Sequence, residues 1–213
     1  MPGPAPLPAS ADVRVESDET VWNGRYALQR IVFRQRRYDG TMSGPRTWEL
    51  WRRGRAAALL PYDPVADAFV LIEQFRLPAF AAGIDPDLVE LPAGLCDPGE
   101  DPAVTLLRET EEEIGLRPRR LLPIGDFMLS PGGTDERVAV SVGEVTAPAA
   151  DAAGFAGSGG LAAEQEDIRI RVWPAERAIA RALAGGFANV ITAVALLWFA
   201  AKRDSVRQAW SAP

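Results

Sequence analysis

Two hydrophobic periods divide the chain. At residues 25–33 and 47–51, aromatic and β-branched residues predict strands, with Asp39-Gly40 as the turn signal between them. Residues 56–60 and 69–73 are apolar runs on either side of Asp63-Pro64, and 121–127 and 138–142 are strand-like runs separated by Ser130-Pro131-Gly132-Gly133. At 168–172, Ile and Val alternate with Arg, the mark of a further strand. The pattern turns helical at 102–114, 174–184 and 189–202. Between them, 147–160 is dominated by Ala and Gly without periodicity and is expected to be a mobile loop. Strands around one central helix, with two more helices at the end, predict an α/β fold: an α/β/α sandwich on a mixed sheet, with a small N-terminal β subdomain. The expected boundaries are a flexible tail at 1–12, the β subdomain at 13–55, the main domain at 56–205 and a C-terminal tail at 206–213.

The helix at 102–114 carries well-formed stop and start signals. Asp101 suits the cap, Pro102 the first turn and Gly115 the left-handed stop. Its acidic residues are less easily explained. Glu109, Glu111, Glu112 and Glu113 lie toward the end where the helix dipole is already negative, which disfavours each carboxylate by roughly 0.3–1 kcal/mol. Glu109, Glu112 and Glu113 share one face at i, i+3 and i+4, and each like-charged pair adds about 0.2–0.5 kcal/mol. The sum, of the order of 1–3 kcal/mol, is noticeable against a domain stability of roughly 5–15 kcal/mol. A solvated acidic face would tolerate it; a bound divalent cation would reverse it.

Composition narrows the cation. The chain has 213 residues, a formal net charge of −6 and no histidine. A His-dependent triad, a His-ligated zinc and an imidazole base are therefore excluded, and an oxygen-ligand site for Mg²⁺ or Mn²⁺ is what the composition allows. The acidic balance argues against nucleic acid or an anionic membrane as the main partner. Lys202 is the single lysine, so arginine does nearly all cationic work, and its planar fork suits phosphates. Cys96 is the single cysteine, which forbids an internal disulfide and points to a cytoplasmic protein; without a histidine beside it, a packing role suits it better than a nucleophilic one. The Pro-rich start lacks a signal-peptide pattern, and the apolar run 190–201 is too short to span a bilayer.

Other residues carry candidate chemistry. Arg76 ends a strand and enters a loop, where it either grips a diphosphate or sits as an ordinary surface residue. Glu164, Glu166 and Asp167 follow the Ala/Gly run, as an active-site lid carboxylate or a solvated acidic turn. Trp22, Tyr26, Trp48 and Trp51 crowd the N-terminal subdomain, where they either stack on a nucleobase, line an interface or pack the core.

The spacing of Gly94, Glu100, Arg108, Glu109, Glu112, Glu113 and Gly115 fits the Nudix box, G-x5-E-x7-R-E-U-x-E-E-x-G-U, with one departure: Thr110 stands where an aliphatic residue is usual, which raises a question about local packing. RGRAAALLPYDPV, LIEQFR, ELPAG, SPGGTDER and GLAAEQEDI extend the match, and the chain resembles the ADP-ribose pyrophosphatase branch of the Nudix hydrolases over most of 25–201. The resemblance implies a Nudix-type sandwich and Mg²⁺-dependent cleavage of ADP-ribose to AMP and ribose 5-phosphate. Another nucleotide sugar, such as GDP-mannose or ADP-glucose, and a catalytically silent nucleotide-binding protein are the alternatives. It implies Glu109 and Glu113 as principal metal ligands, with Glu112 and the carbonyl of Ala93 completing the sites, and a bracing pair in Glu100 and Arg108. Arg76 would hold the diphosphate. Glu164 would be the base, with Glu166 as its understudy or a further metal ligand. Leu95 would meet the terminal ribose, and Trp48, with Tyr26 nearby, the adenine. A homodimer through the N-terminal subdomain would complete that adenine pocket.

Overall fold

A computed structural model describes residues 4–161, 163 and 165–211. The chain divides into two compact units, one made of the chain up to Gly54 together with Met128–Arg137, the other of Arg55–Phe127 and the chain from Val138 on.

The first unit is a three-stranded antiparallel sheet in the order β1 (Val13–Asn23), β2 (Ala27–Gln35), β3 (Arg46–Arg52). Every residue of β1 is exposed, so no apolar alternation marks it in the sequence. The segment 128–137, expected within the main domain, belongs to this unit instead. The reason is polar: the Asp135 carboxylate accepts the N–H groups of Arg53 and Gly54 at 2.7 and 3.1 Å and pairs with Arg52, while Trp51 N–H donates to the Gly133 carbonyl.

The second unit is built on a sheet ordered β10 (Phe155–Gly159), β11 (Ile168–Pro174), β5 (Ala68–Phe75), β4 (Arg55–Asp63), β9 (Arg137–Glu144), β8 (Leu121–Met128), with β6 (Asp87–Glu90) on β5 and β7 (Ala93–Leu95) on β4. β11, β5 and β4 pair antiparallel. Arg137 N–H reaches Gly54 O and Val145 N–H reaches Tyr62 O, the same offset at both ends, so β9 runs parallel to β4 and the sheet is mixed.

Alternation along the strands assigns the two faces. Ala57 and Leu59 of β4 pack on Leu106, and Val70, Ile72, Ile168 and Ile170 pack on Ile114, so one face carries α2 (Pro102–Ile114). The opposite face carries Tyr62 and Phe69 against Phe199 of α4 (Val190–Ser211), with ring centroids 4.5 and 4.9 Å from Phe199, beside α3 (Ala175–Leu183). Helices on both faces of a mixed sheet make the expected α/β/α sandwich. A short α1 (Leu77–Ala81), read from the sequence as loop, follows Arg76.

Two expectations need correction. Residues 155–159 of the supposed loop form β10, antiparallel to β11; the pairing comes from backbone hydrogen bonds, which a run of Ala and Gly does not advertise. The supposed tail at 206–213 is helical to Ser211. Val206 and Trp210 are buried, Arg203 and Arg207 pair with Asp67, and Arg120 donates to the Trp210 carbonyl at 2.6 Å, so the polar-looking end is held at helical spacing.

Asp63 pins the β4–β5 turn. Burial alone lifts its carboxyl, but the N–H groups of Ala147, Ala66 and Val65 outweigh burial and hold it below the ordinary 3.8. A depressed folded pKa stabilises fully above the unfolded value and is lost as pH falls through the folded one. The urea midpoint is therefore expected to drop below about pH 4, and to drop less in Asp63→Asn, which already lacks the charge.

Candidate active site

The box helix is capped as its residues predict. The Asp101 carboxylate accepts Ala103 N–H at 2.9 Å, Pro102 opens the helix, and Gly115 closes it at φ 67°. The aberrant Thr110 is fully buried, and its hydroxyl donates to the Leu106 carbonyl at 2.6 Å within the same helix. That carbonyl is also the i−4 acceptor of the Thr110 N–H, so losing the hydroxyl orphans nothing. Thr110→Val is expected to be neutral or to stabilise by up to about 1 kcal/mol, measured by urea denaturation.

Glu109, Glu112 and Glu113 lie on one face of α2, and the strand β7 crosses above it. Gly94 leaves room for the Glu109 carboxylate there: a Cβ on it would stand 1.9 Å from the Glu109 carboxyl carbon and would push that side chain aside. Glu113 is 3% exposed and accepts the Ala93 N–H at 3.0 Å. Burial pushes its carboxyl up to about 8; the Ala93 N–H opposes this, the charges of Glu109 and Glu166 add to it, and Arg76 opposes it. Glu109 is raised by burial too, against Arg108 and reinforced by Glu112 and Glu166. Three elements thus bring carboxylates and one guanidinium within electrostatic reach of a single buried oxygen pair.

Glu166 reaches this cluster because β10 ends against α2. Gly160 N–H donates to the Glu112 carbonyl at 3.2 Å, and the Glu166 carboxylate accepts Leu161 N–H at 3.0 Å, closing the intervening loop. Glu164, expected to be the base, lies outside the described residues. Asp167 is exposed.

The expected brace differs in detail. Arg108 does meet Glu100, at 3.4 Å, but its shortest bond is to Glu109 at 2.7 Å, with Glu112 and the Leu95 carbonyl each at 3.4 Å. Glu100 is held more closely by the Thr105 hydroxyl at 2.7 Å and Asp97 N–H at 3.0 Å. Thr105 carries no sequence signal for this role beyond its place one turn into the helix.

Arg76 is held through Nε, which donates to Glu90 at 2.6 Å. No local pattern in the sequence singles out Glu90, although ELPAG contains it. It is 3% exposed and also accepts from Asn189 and, at 3.4 Å, from Gln74.

In the N-terminal unit, Trp48 and Tyr26 do not form one aromatic wall. Trp48 and Trp51 project from opposite faces of β3. Tyr26 goes with Trp51, edge-on at 5.8 Å, beneath Arg53, whereas the Trp48 indole N–H donates to Gly132 O at 2.7 Å and lies under Arg46. Trp48, Arg46, Arg30 and Gly132 line an open hollow of about 670 Å³.

The donor set is entirely oxygen, and its buried, mutually repelling carboxylates fit a hard divalent cation. Among the described residues no group of three or more carboxylates has closed to coordinating distance; Glu113 is turned onto Ala93 and Glu109 onto Arg108. A cation would exchange those partners for itself.

The NUDIX domain model matches residues 52–184, which contain this entire carboxylate cluster. The chain belongs to the NUDIX domain family. Among its curated relatives, the ADP-ribose pyrophosphatase of Escherichia coli strain K12 is 39% identical over 200 residues, covering 94% of this chain and 93% of the relative. The ADP-ribose pyrophosphatase of Haemophilus influenzae is 35% identical, with 93% and 91% covered. A GDP-mannose pyrophosphatase of Cronobacter sakazakii is 30% identical, with 88% and 94% covered. A crystal structure of an ADP compounds hydrolase matches the fold with a TM-score of 0.67 at 18% identity, over 94% of this chain and all of that one.

Proposed function

We propose that the chain is a Nudix pyrophosphatase that hydrolyses the diphosphate bond of ADP-ribose to AMP and ribose 5-phosphate, with Mg²⁺, or Mn²⁺, as its cation. The observation that carries the chemistry is the buried Glu113 carboxylate, which feels Glu109, Glu166 and Arg76 together. The preference for ADP-ribose rests on the relatives of that name at 39% and 35% identity, against 30% for the GDP-mannose pyrophosphatase.

Glu109, Glu113 and Glu112, with the Ala93 carbonyl, would hold the cation. When bound, it offsets the charge of the diphosphate and makes water a better nucleophile at neutral pH. Arg76 is 42% exposed along its side chain and presents its terminal nitrogens to a diphosphate as a planar fork. Glu164 takes the proton of the attacking water in this reading, and Glu166, anchored on Leu161 N–H, serves the cation side. Leu95 meets the terminal ribose. The second reading, a GDP-mannose hydrolase, has the 30% relative in its favour. A silent nucleotide-binding protein would have no use for a carboxylate buried as deeply as Glu113 beside Glu109 and Glu166.

The reading includes a homodimer through the N-terminal unit, whose exposed β1 carries Val13, Val15, Val21 and Trp22, and a cytoplasmic setting suited to a single free cysteine. Among the described residues no helix is long and apolar enough to cross a membrane. The test is AMP release from ADP-ribose, GDP-mannose and ADP-glucose with and without Mg²⁺. ADP-ribose is expected to give a kcat/KM at least about tenfold above the others, a difference a few contacts supply. No turnover on any of the three would overturn the reading.

A further inference from the structure

We propose that Glu90 is a positioning residue: it fixes the Arg76 guanidinium for the diphosphate and ties that orientation to the start of the last helix through Asn189. The proposal rests on the reading of Arg76 as the diphosphate-binding arginine. Glu90 faces Ile72 in the β5–β6 pair, so its backbone is set by the sheet, and its carboxylate is nearly inaccessible. A buried carboxylate is retained only with partners, and this one has three donors: Arg76 Nε at 2.6 Å, Asn189 Nδ2, and Gln74 Nε2 at 3.4 Å. The choice of atom on Arg76 matters. Engaging Nε leaves both terminal nitrogens on the edge that a diphosphate would use, and among the described residues the Arg76 guanidinium makes no other hydrogen bond.

The second end of the link is equally specific. The Asn189 side-chain oxygen accepts Thr192 N–H at 3.0 Å, the capping bond of α4, while its amide nitrogen donates to Glu90. The Thr192 hydroxyl in turn accepts Leu91 N–H at 3.2 Å, so two consecutive residues of the Glu90-Leu91 segment are tied to one helix start. That segment leads directly to Ala93, which donates to Glu113. The cap of α4 thereby sets Arg76 and the Ala93 strand together, from a helix that packs on the sheet face opposite α2. One further charge is in play: Arg76 acts on Glu113, so a guanidinium released from Glu90 changes the field at the carboxylate cluster as well.

The experiment is a double-mutant cycle in the full-length protein with Mg²⁺ and ADP-ribose, reading KM, kcat and melting temperature for Arg76→Ala, Glu90→Gln and both together. Glu90→Gln and Arg76→Ala are each expected to raise KM about tenfold, with kcat changed less, and the double variant to be no worse than Arg76→Ala alone. Additive KM effects, or a Glu90→Gln protein with unchanged KM, would overturn the positioning role. An unchanged KM in Arg76→Ala would instead overturn the reading of Arg76 itself. Should Glu90→Gln not fold, Arg76→Lys decides the question, since residue 76 is partly exposed and the substitution is tolerated by the fold. One ammonium replaces a fork that meets Glu90 and phosphate at once, so KM is expected to rise nearly as far as with alanine; a lysine variant as good as wild type would overturn the proposal.

Discussion

Replacing Glu113 by glutamine is expected to abolish hydrolysis and at the same time to make the metal-free protein harder to melt. The two effects share one cause. Glu113 is buried among other carboxylates and accepts one backbone N–H, from Ala93; with its carboxyl pushed up to about 8, the metal-free protein must take up a proton there to fold at neutral pH. The glutamine oxygen keeps that hydrogen bond and is neutral without taking up a proton on folding, so the apo protein gains about 1–3 kcal/mol, several degrees in Tm. A neutral amide is a poor partner for a hard cation, and kcat/KM is expected to fall on the order of 10³-fold, the several kcal/mol that a bound divalent ion supplies. Scanning both proteins with and without Mg²⁺ checks the pairing: the wild type should gain Tm with Mg²⁺ and the variant should not. Full activity in Glu113→Gln would remove Glu113 from the metal site.

Gly159→Ala should be the most damaging single methyl in the main domain. A Cβ there would stand 1.8 Å from the backbone carbonyl oxygen of Glu113, and a helix carbonyl cannot swing away as a side chain can. Either β10 lifts from α2 or the last turn of the helix distorts. A loss of about 2–4 kcal/mol is expected, roughly 5–12 °C in Tm, together with a fall in activity, since the loop that carries Glu166 hangs from this contact. Gly44→Ala is the control, because a Cβ at Gly44 meets nothing within 4 Å; its melt should lie within about 0.5 kcal/mol of wild type. A Gly159→Ala protein that melts with that control would show the contact to be slack.

The box helix could be read from the chain because its signals are local. Asp101, Pro102 and Gly115 each act within one turn, and the stacked glutamates announce a partner without any tertiary knowledge. Glu90 could not be read this way. It lies 14 residues from Arg76, and only the β5–β6 pairing brings them together, while its link to Asn189 spans 99 residues. β10 is not legible in the sequence because it is held by backbone pairing and a glycine contact rather than marked by a side-chain pattern. The end of α4 from residue 206 reads as a tail because Arg207, taken alone, is a solvated charge; Asp67, which it meets, sits in the β4–β5 turn. The aromatic residues of the N-terminal unit were legible as a group, but strand alternation, which separates Trp48 from Trp51 and Tyr26, required the register of β3.

The interrupted make-up of the N-terminal unit bears on how the protein is born. When β3 leaves the ribosome, the acceptors for the Trp51 N–H, the Trp48 indole and Arg52 Nε lie at residues 132–135 and have not been translated. About 80 further residues must be added first, several seconds at roughly 5–20 residues per second. For that interval the nascent chain presents a strand edge whose polar groups near Trp51 have no mate, the kind of surface that recruits chaperones or other nascent chains. Translation speed between Gly54 and Met128 is therefore a variable of yield for this protein, and slowing it should cost soluble product even though no residue of the finished fold is changed.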